Sequence, residues 1–291
     1  MDILYITHFL NGFLMILMPL ILGIYLARKF RLGWRLWWIG AATFVLSQIG
    51  HLPFNFALGL LFERNLLPTP PESWRLPFSA ILLGLSAGLW EESARYITYR
   101  WWAKEARSWR TGLMLGTGHG GIEAIILGVL VLFTYANMVY AQNVDLTQLV
   151  PAAQLSTAQH QLETYWSAPW GVSLLGALER AFTIPFHLSA SLLILQVFVR
   201  RQWRWYWFSV GWHTAINTLA VFAVSRWGAY ATEAIIGCSV VIDLGIIFLL
   251  RKPEPKPADI APAPLPDVGT ELLILPPIEE SPENLEETRY N

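Results

Sequence analysis

Charged residues are scarce in this chain of 291 residues. Aspartate, glutamate, lysine and arginine together make up 14% of the sequence, against about 25% in a typical soluble domain. So few charges cannot solvate a globular surface of this length, which argues against a cytosolic enzyme, a disordered chain and a nucleic-acid-binding protein. There is also only one cysteine, Cys238. A disulfide framework and a cysteine-based zinc site both need pairs, so both are excluded.

Familiar catalytic motifs are missing as well. The sequence contains no H-E-x-x-H, no G-x-S-x-G and no P-loop. The string GTGHGG at 116–121 matches the G-x-G-x-x-G pattern, but it follows no predicted strand and lies inside an apolar segment, so a dinucleotide site is rejected.

Hydrophobic residues are abundant, at 54% of the chain with 15 tryptophans and a mean hydropathy of +0.42. A helix needs about 20 mostly apolar residues to cross a bilayer. Seven stretches qualify, near residues 4–27, 36–61, 77–99, 111–139, 169–199, 205–225 and 229–250. The sequence therefore predicts an all-α fold, a polytopic transmembrane helical bundle of about seven spans. A short surface helix is expected in the polar loop 140–168.

Basic residues are sorted to one side of these spans. Fourteen lysines and arginines fall at 28–35, 100–110, 200–204 and 251–256, whereas the opposite loops hold Arg64, Arg75 and Arg226. Because basic residues are retained in the cytoplasm, the N-terminus is predicted outside and the C-terminus in the cytoplasm.

The chain divides into two parts by composition. Residues 1–252 form the predicted transmembrane domain. Residues 253–291 hold nine of the 18 prolines and nine acidic residues against two basic ones, which is typical of a disordered cytoplasmic tail. The ELLIL patch at 271–275 is a candidate docking segment for a cytoplasmic partner, although a solvated tail is the simpler interpretation.

Ionisable residues inside the spans are costly and usually mark a pathway or a site. The third to sixth spans contain several: Glu91, Glu92, Arg95, His119, Glu123, Glu179, Arg180, His187 and His213. Glu91, His119 and His213 each lie nine residues from an arginine at the predicted cytoplasmic edge, a depth of roughly 13–14 Å. These three side chains are therefore expected to share one plane.

Helical spacing places some of these residues on common faces. Glu123 follows His119 by four residues, and Asn217 follows His213 by four. Arg95 follows Glu91 by four and Glu92 by three, so one arginine neutralises only part of the acid pair. Structural alternatives stay open for each group, namely an intramembrane ion pair on the third span and interhelical hydrogen bonds for the histidines. His8, His51 and His160 are interpreted as structural or solvent-facing.

The four glycines at 116, 118, 120 and 121 surround His119 with little bulk. Small residues allow neighbouring helix backbones to come close. A tight helix contact is therefore predicted at this point.

Taken together, Glu91-Glu92-Ser93-Ala94-Arg95-Tyr96, His119-Gly120-Gly121-Ile122-Glu123 and His213-x-x-x-Asn217 resemble the CAAX-protease and bacteriocin-processing superfamily of intramembrane proteases, in particular its YhfC-type branch. The resemblance covers about residues 77–220. It implies that Glu91, with Glu92 and Arg95 in the same motif, activates water. His119 and His213 polarise the scissile carbonyl or hold a metal, and Asn217 supports the oxyanion.

The chain departs from the superfamily pattern in two places. Two residues separate the acid pair from the arginine, where the superfamily has three. The superfamily's second motif places a phenylalanine four residues before its histidine. In this chain that position holds Leu115 for His119 and Thr183 for His187. Either histidine can therefore fill that role.

A metal is one open possibility for the site. Three histidines and glutamates can hold zinc with an open position for water, and the candidate ligands are His119, Glu123, His187 and His213. A metal-free glutamate mechanism stays equally open.

The predicted function is an intramembrane endopeptidase that acts on a membrane-associated peptide or protein, in the lipid bilayer of a prokaryotic plasma membrane. Two alternatives remain. One is a non-catalytic membrane scaffold related to such proteases, and the other is a proton-coupled transporter, because carboxylates and histidines also build proton relays.

Overall fold

The protein is a bundle of helices. A computed structural model describes residues 3–251, and no strand occurs in that part of the chain. Its α-helices are α1 (Ile3–Phe30), α2 (Arg35–Glu63), α3 (Glu72–Ile97), α4 (Trp109–Gln142), α5 (Leu155–Ser167), α6 (Leu175–Val199), α7 (Arg204–Trp227) and α8 (Ala229–Leu249). The predicted all-α class is confirmed, and the predicted tail at 253–291 lies outside the described residues.

A long helix coincides with each of the seven predicted spans. Within residues 3–251, five segments are long and apolar enough to cross a membrane: α1, α2, α4, α8 and the segment Val172–Val199 that contains α6. Helices α3 and α7 are long enough but carry more polar and charged residues. The short helix expected in the polar loop is α5, which buries none of its side chains.

Helix α4 lies at the centre of the packing. It contacts α1, α2 and α6, while α3 packs along α7 and α6 packs along α8. The contact between α2 and α4 is made by glycines. A Cβ atom on Gly118 would lie 1.9 Å from the carbonyl oxygen of Trp37, and one on Gly40 would lie 2.1 Å from that of Leu115. The close approach predicted around His119 is confirmed.

The contact between α3 and α7 uses small residues in the same way. A Cβ atom on Gly84 would lie 2.4 Å from Thr218 Oγ1, and one on Gly88 would lie 2.8 Å from Thr214 Oγ1. This seam brings the next turn of α3, which begins at Glu91, against the middle of α7. The apolar core, which includes Trp37, Leu115 and Leu192, lies beside that point.

Candidate active site

Two adjacent carboxylates and one guanidinium group on α3 form the base of the site. Glu91, Glu92 and Arg95 are all buried. Arg95 forms an ion pair with Glu92 through Nη1, and its Nη2 lies 3.6 Å from Glu91 Oε2. The single guanidinium group therefore binds Glu92 closely and Glu91 only loosely.

The two carboxylates differ in their other partners. Glu92 also accepts hydrogen bonds from Ser209 Oγ at 2.6 Å and from His213 Nδ1 at 2.7 Å. Glu91 lies 3.1 Å from His119 Nε2, and Gln48 Nε2 donates to it at 3.4 Å. Glu92 is thus held by three close donors, and Glu91 is the carboxylate that is freer to react.

Helix α4 supplies His119, which is fully buried. Its Nε2 faces Glu91, while its Nδ1 is buried without a hydrogen-bond partner among the described residues. The ring packs edge-on against Phe44, with 5.3 Å between ring centroids. One nitrogen of His119 therefore faces the reactive carboxylate, and the other is unsatisfied.

Helix α6 supplies His187, two residues after Pro185. Arg95 Nη2 donates to His187 Nδ1 at 2.7 Å, and His187 Nε2 lies 2.8 Å from Glu123 Oε2. Because an arginine can only donate, Nδ1 is the acceptor and Nε2 carries the proton. The lack of a side chain at Gly120 makes room for this ring, since a Cβ atom there would lie 2.6 Å from His187 Cδ2.

Helix α7 supplies His213. The Nδ1 hydrogen bond to Glu92 places the proton on that nitrogen, because a carboxylate accepts. The other nitrogen, Nε2, lies 3.9 Å from Glu91 Oε1, which is too far for a direct hydrogen bond. His213 Nε2 is therefore available for a third group beside Glu91.

Most of the sequence-predicted site residues come together. Glu91, Glu92, Arg95, His119 and His213 form one buried group, and His187 joins it through Arg95. In contrast, the side chain of Asn217 forms no hydrogen bond within residues 3–251 and lies half-buried one turn beyond His213.

Glu123 and Arg180 form a second group behind His187. Arg180 bonds Glu123 at 2.6 Å and also pairs with Glu179. Glu123 therefore orients His187 from the side opposite Arg95.

Sequence reasoning did not find the residues that contact the two carboxylates but belong to no motif. Gln48 and Ser209 each bond one of the two carboxylates, and His51 bonds Gln48. The only signal for Gln48 and His51 is their polarity inside an apolar span. A serine such as Ser209 is common in membrane helices and gives no signal of its own.

A metal fits one part of this site. One atom each of Glu91, His119 and His187 lie within 4.8 Å of one another, and among residues 3–251 this is the one such group of three or more metal-ligand side chains. One carboxylate and two imidazoles form a ligand set found in catalytic zinc sites, which keep an open position for water. His119 Nδ1 is unsatisfied and can bind such an ion, whereas His187 Nδ1 accepts from Arg95, so an ion bound through that nitrogen would displace the Arg95 hydrogen bond. Glu123 and His213 lie next to the group and not in it.

Fold and site together define an integral membrane helical bundle with a buried glutamate–histidine centre. The sequence model of the family described as "YhfC intramembrane metalloprotease" matches residues 14–239. The chain therefore belongs to the YhfC intramembrane metalloprotease family, as its motifs suggested.

A curated relative supports the same family. The chain is 29% identical over 251 residues to a Bacillus subtilis (strain 168) protein named "Uncharacterized membrane protein YhfC". The aligned region covers 83% of this chain and 93% of the relative. No solved structure matches the chain.

Proposed function

We propose that this protein is an intramembrane endopeptidase that hydrolyses a membrane-associated peptide or protein. The observation that carries the proposal is the placement of Glu91, whose carboxylate lies 3.1 Å from His119 and 3.9 Å from His213 inside a buried bundle centre. The family description supports a peptidase of this kind.

Glu91 is the proposed general base. Hydrolysis of a peptide bond needs a group that removes a proton from water and later returns it to the leaving amine. Glu92 is unsuited to this, because Arg95, Ser209 and His213 already hold its oxygens. When environments of two neighbouring carboxylates differ in this way, the two take different roles. Glu92 then acts as the group that orients His213.

His213 is the proposed electrophile. Its Nδ1–H donates to Glu92, which fixes the ring and directs Nε2 toward the space beside Glu91. In the imidazolium form, with a proton on each ring nitrogen, Nε2 can donate to the oxyanion that develops on the scissile carbonyl, and such donors typically contribute about 10²–10³ in rate. Asn217, one turn away on α7, is the proposed second donor.

Glu91, His119 and His187 would hold a zinc ion, with Glu123 behind His187. Such an ion supplies Lewis acidity and a water molecule of lowered pKa. Glu91 can serve either as a ligand or as the base, so the two assignments make different predictions for a Glu91 variant.

The membrane arrangement is part of the proposal. Helices α3 and α7 carry the reactive groups and pack on each other, so we propose that both cross the bilayer with the other five long helices. The distribution of basic residues supports an outside N-terminus, a cytoplasmic C-terminus and a location in a prokaryotic plasma membrane.

The test compares wild type with Glu91→Gln in purified, lipid-reconstituted protein on a panel of membrane peptides, with metal content measured. We expect cleavage by wild type and a loss of about 10²–10⁴-fold in Glu91→Gln, since a general base contributes that much. Glu72→Gln, on the exposed first turn of the same helix, is the matched control and should cleave as wild type does.

The metal measurement separates the two roles of Glu91. Retention of metal by Glu91→Gln with loss of cleavage supports the base, and loss of both supports the ligand. Equal cleavage by wild type and Glu91→Gln would contradict the proposal. Absence of cleavage in every variant would favour the scaffold alternative.

A further inference from the structure

Helix α2 carries a polar stripe in an otherwise apolar span. Gln48, His51 and Asn55 lie at positions i, i+3 and i+7, so they share one face of the helix. That face is turned toward α3, where Ser86 and Glu91 lie. Polar side chains inside a membrane span are costly and usually line a pathway.

The stripe is connected by hydrogen bonds. Asn55 Nδ2 lies 2.9 Å from His51 Nε2, His51 Nδ1 lies 3.1 Å from Gln48 Oε1, and Gln48 Nε2 lies 3.4 Å from Glu91 Oε1. Ser86 Oγ joins from α3, 2.9 Å from Asn55 Oδ1 and 3.1 Å from His51 Nε2. A continuous polar path therefore runs from Asn55 to the proposed general base.

The donors in this path all point the same way. An amide nitrogen can only donate, so Asn55 donates to His51, and His51 then donates to the Gln48 carbonyl oxygen through Nδ1. Gln48 in turn donates to Glu91. This path has hydrogen-bonding groups at every step and ends at a carboxylate. Water molecules in an apolar bundle need polar partners of this kind.

The far end of the path opens into a cavity between α2 and α3. This α2–α3 cavity has a volume of about 350 Å³, and its lining includes Asn55, Leu58, Phe62, Arg75, Phe78 and Leu82. Asn55 belongs both to the lining and to the hydrogen-bonded path. The cavity lies near the loop that joins the two helices, at the end of the bundle opposite Arg35 and Arg100.

A smaller cavity at the other end of α2 and α3 offers a competing path. It has a volume of about 190 Å³ and is lined by Thr43, Ser47 and Thr98 among largely apolar residues. Thr43 bonds Thr98 and the carbonyl of Ile39, and Ser47 bonds the carbonyl of Phe44. Ser47 also accepts a hydrogen bond from Gln48 Nε2 at 3.2 Å, so this cavity meets the path at Gln48. It is the smaller of the two cavities and bypasses His51 and Asn55, so the effect of a block at His51 distinguishes the two entrances.

We propose that the Gln48–His51–Asn55 stripe, with Ser86, is the route by which water reaches Glu91 from the α2–α3 cavity. The inference rests on the proposed function, because a buried peptidase consumes one water molecule for each peptide bond it breaks. The proposal gives a functional role to three residues of α2 that belong to none of the sequence motifs.

The test measures water access directly and does not depend on cleavage. Cysteines are introduced at Gln48, Asn55 and Ser86 in the full-length protein, in a Cys238→Ser background because Cys238 is exposed. The protein is reconstituted in liposomes and treated with a small, water-soluble methanethiosulfonate. The thiolate is the reactive form, and apolar surroundings suppress it because they raise the pKa of a thiol. Ser86→Cys changes one atom, so it reports even if a larger replacement disturbs the fold.

Two controls lie on α2 and a third is a buried serine on α6. Ile49 and Phe56 are 65% and 70% exposed and lie on a face of α2 other than the stripe. Ser189 is a fully buried serine whose hydroxyl bonds Asp243, away from the path. We expect cysteines at the three path positions to react about tenfold or more faster than cysteines at these controls, because only the path supports the thiolate.

A blocking variant sharpens the result. His51→Phe should fill the middle of the path with an apolar ring, so labelling at position 48 should fall at least severalfold while labelling at position 55 is unchanged. Labelling at 48 and 86 that is no faster than at 49, 56 and 189 would overturn the proposal, as would labelling at 48 that is insensitive to His51→Phe. Failure of Glu91→Gln to affect cleavage would instead count against the proposed function, whatever the labelling shows.

Discussion

The bundle contains two buried ionic clusters of the same composition, and they differ in their access to solvent. The inner cluster consists of Glu91, Glu92 and Arg95, and the outer cluster consists of Glu123, Glu179 and Arg180. Each has two carboxylates and one guanidinium group. Side chains of the inner cluster are at most 8% exposed, whereas Glu123 and Glu179 are 20% and 37% exposed.

Because of this difference in burial, the two clusters have different roles although their charges are the same. The outer cluster is partly exposed at the surface of the bundle, so its surplus carboxylate is less completely enclosed by protein. Burial makes the same surplus costly in the inner cluster, where a charge must be met by close partners. The partners found there are His119 and His213. The inner cluster therefore has the composition of a reactive site, and the outer cluster that of a support for His187.

The largest expected effect comes from removing the inner arginine. Arg95→Met leaves Glu92 buried without its ion-pair partner and should lower the free energy of unfolding by about 3–5 kcal/mol, as breaking a buried pair does. Arg180→Met should cost distinctly less, because the outer carboxylates are only partly enclosed by protein. Denaturation of both variants in the same detergent checks this, and equal losses would remove the distinction between the clusters.

Zinc addition extends the same experiment. Arg95 bonds His187, a candidate ligand, and lies 3.6 Å from Glu91, another candidate ligand. A bound cation stabilises any variant that keeps the three ligands, but it should restore more stability in Arg95→Met, where His187 Nδ1 is freed, than in Arg180→Met. Recovery in neither variant would argue against a metal at this group.

A smaller effect is expected from the outer cluster. Glu123→Gln replaces the carboxylate that holds His187 Nε2, and loss of such an orienting partner typically costs about 10–100-fold in metal affinity or activity. Zinc affinity, measured by competition with a chelator, should fall by that factor. Glu179→Gln, whose residue does not contact His187, is the control, and an equal fall in both variants would contradict the orienting role.

The smallest effect concerns a single hydrogen bond of the inner cluster. Ser209→Ala removes the 2.6 Å bond to Glu92 but leaves the bonds from Arg95 and His213. We expect a loss of about 1 kcal/mol in stability, the usual net contribution of one hydrogen bond. Ser225→Ala, at an exposed serine that bonds only its own helix, should stay within about 0.5 kcal/mol of wild type.

Sequence reasoning identified several residues of the site but not all of its contacts. Counting residues from the basic edge predicted that Glu91, His119 and His213 share one plane, because helix rise is constant and each helix was recognisable. The same counting cannot tell which way a side chain points. The direct contact of His187 with Arg95 and the lack of a hydrogen bond from the Asn217 side chain to the described residues therefore emerged only from the packing.

Span prediction by hydropathy shows the same limit. Helices α3 and α7 are less apolar on average than the other five long helices, because they carry more charged and polar residues. Several of these residues face each other where the two helices pack, beside Gly84 and Gly88. Hydropathy adds up residues without regard to which face they lie on. The search for mostly apolar stretches of about 20 residues did find both helices, at 77–99 and 205–225.

The ion pair between Glu92 and Arg95 has a consequence for biosynthesis. Both residues belong to α3 and lie three positions apart, so the pair forms as soon as that helix forms. A charged side chain at the centre of a single helix adds about 2.5–3.5 kcal/mol to its insertion into the bilayer, and two charges that cancel within one turn avoid much of that. In the proposed seven-span arrangement, α3 can therefore enter the membrane before α4, α6 and α7 are made, and the Glu91 carboxylate meets its histidines as the later helices assemble around it.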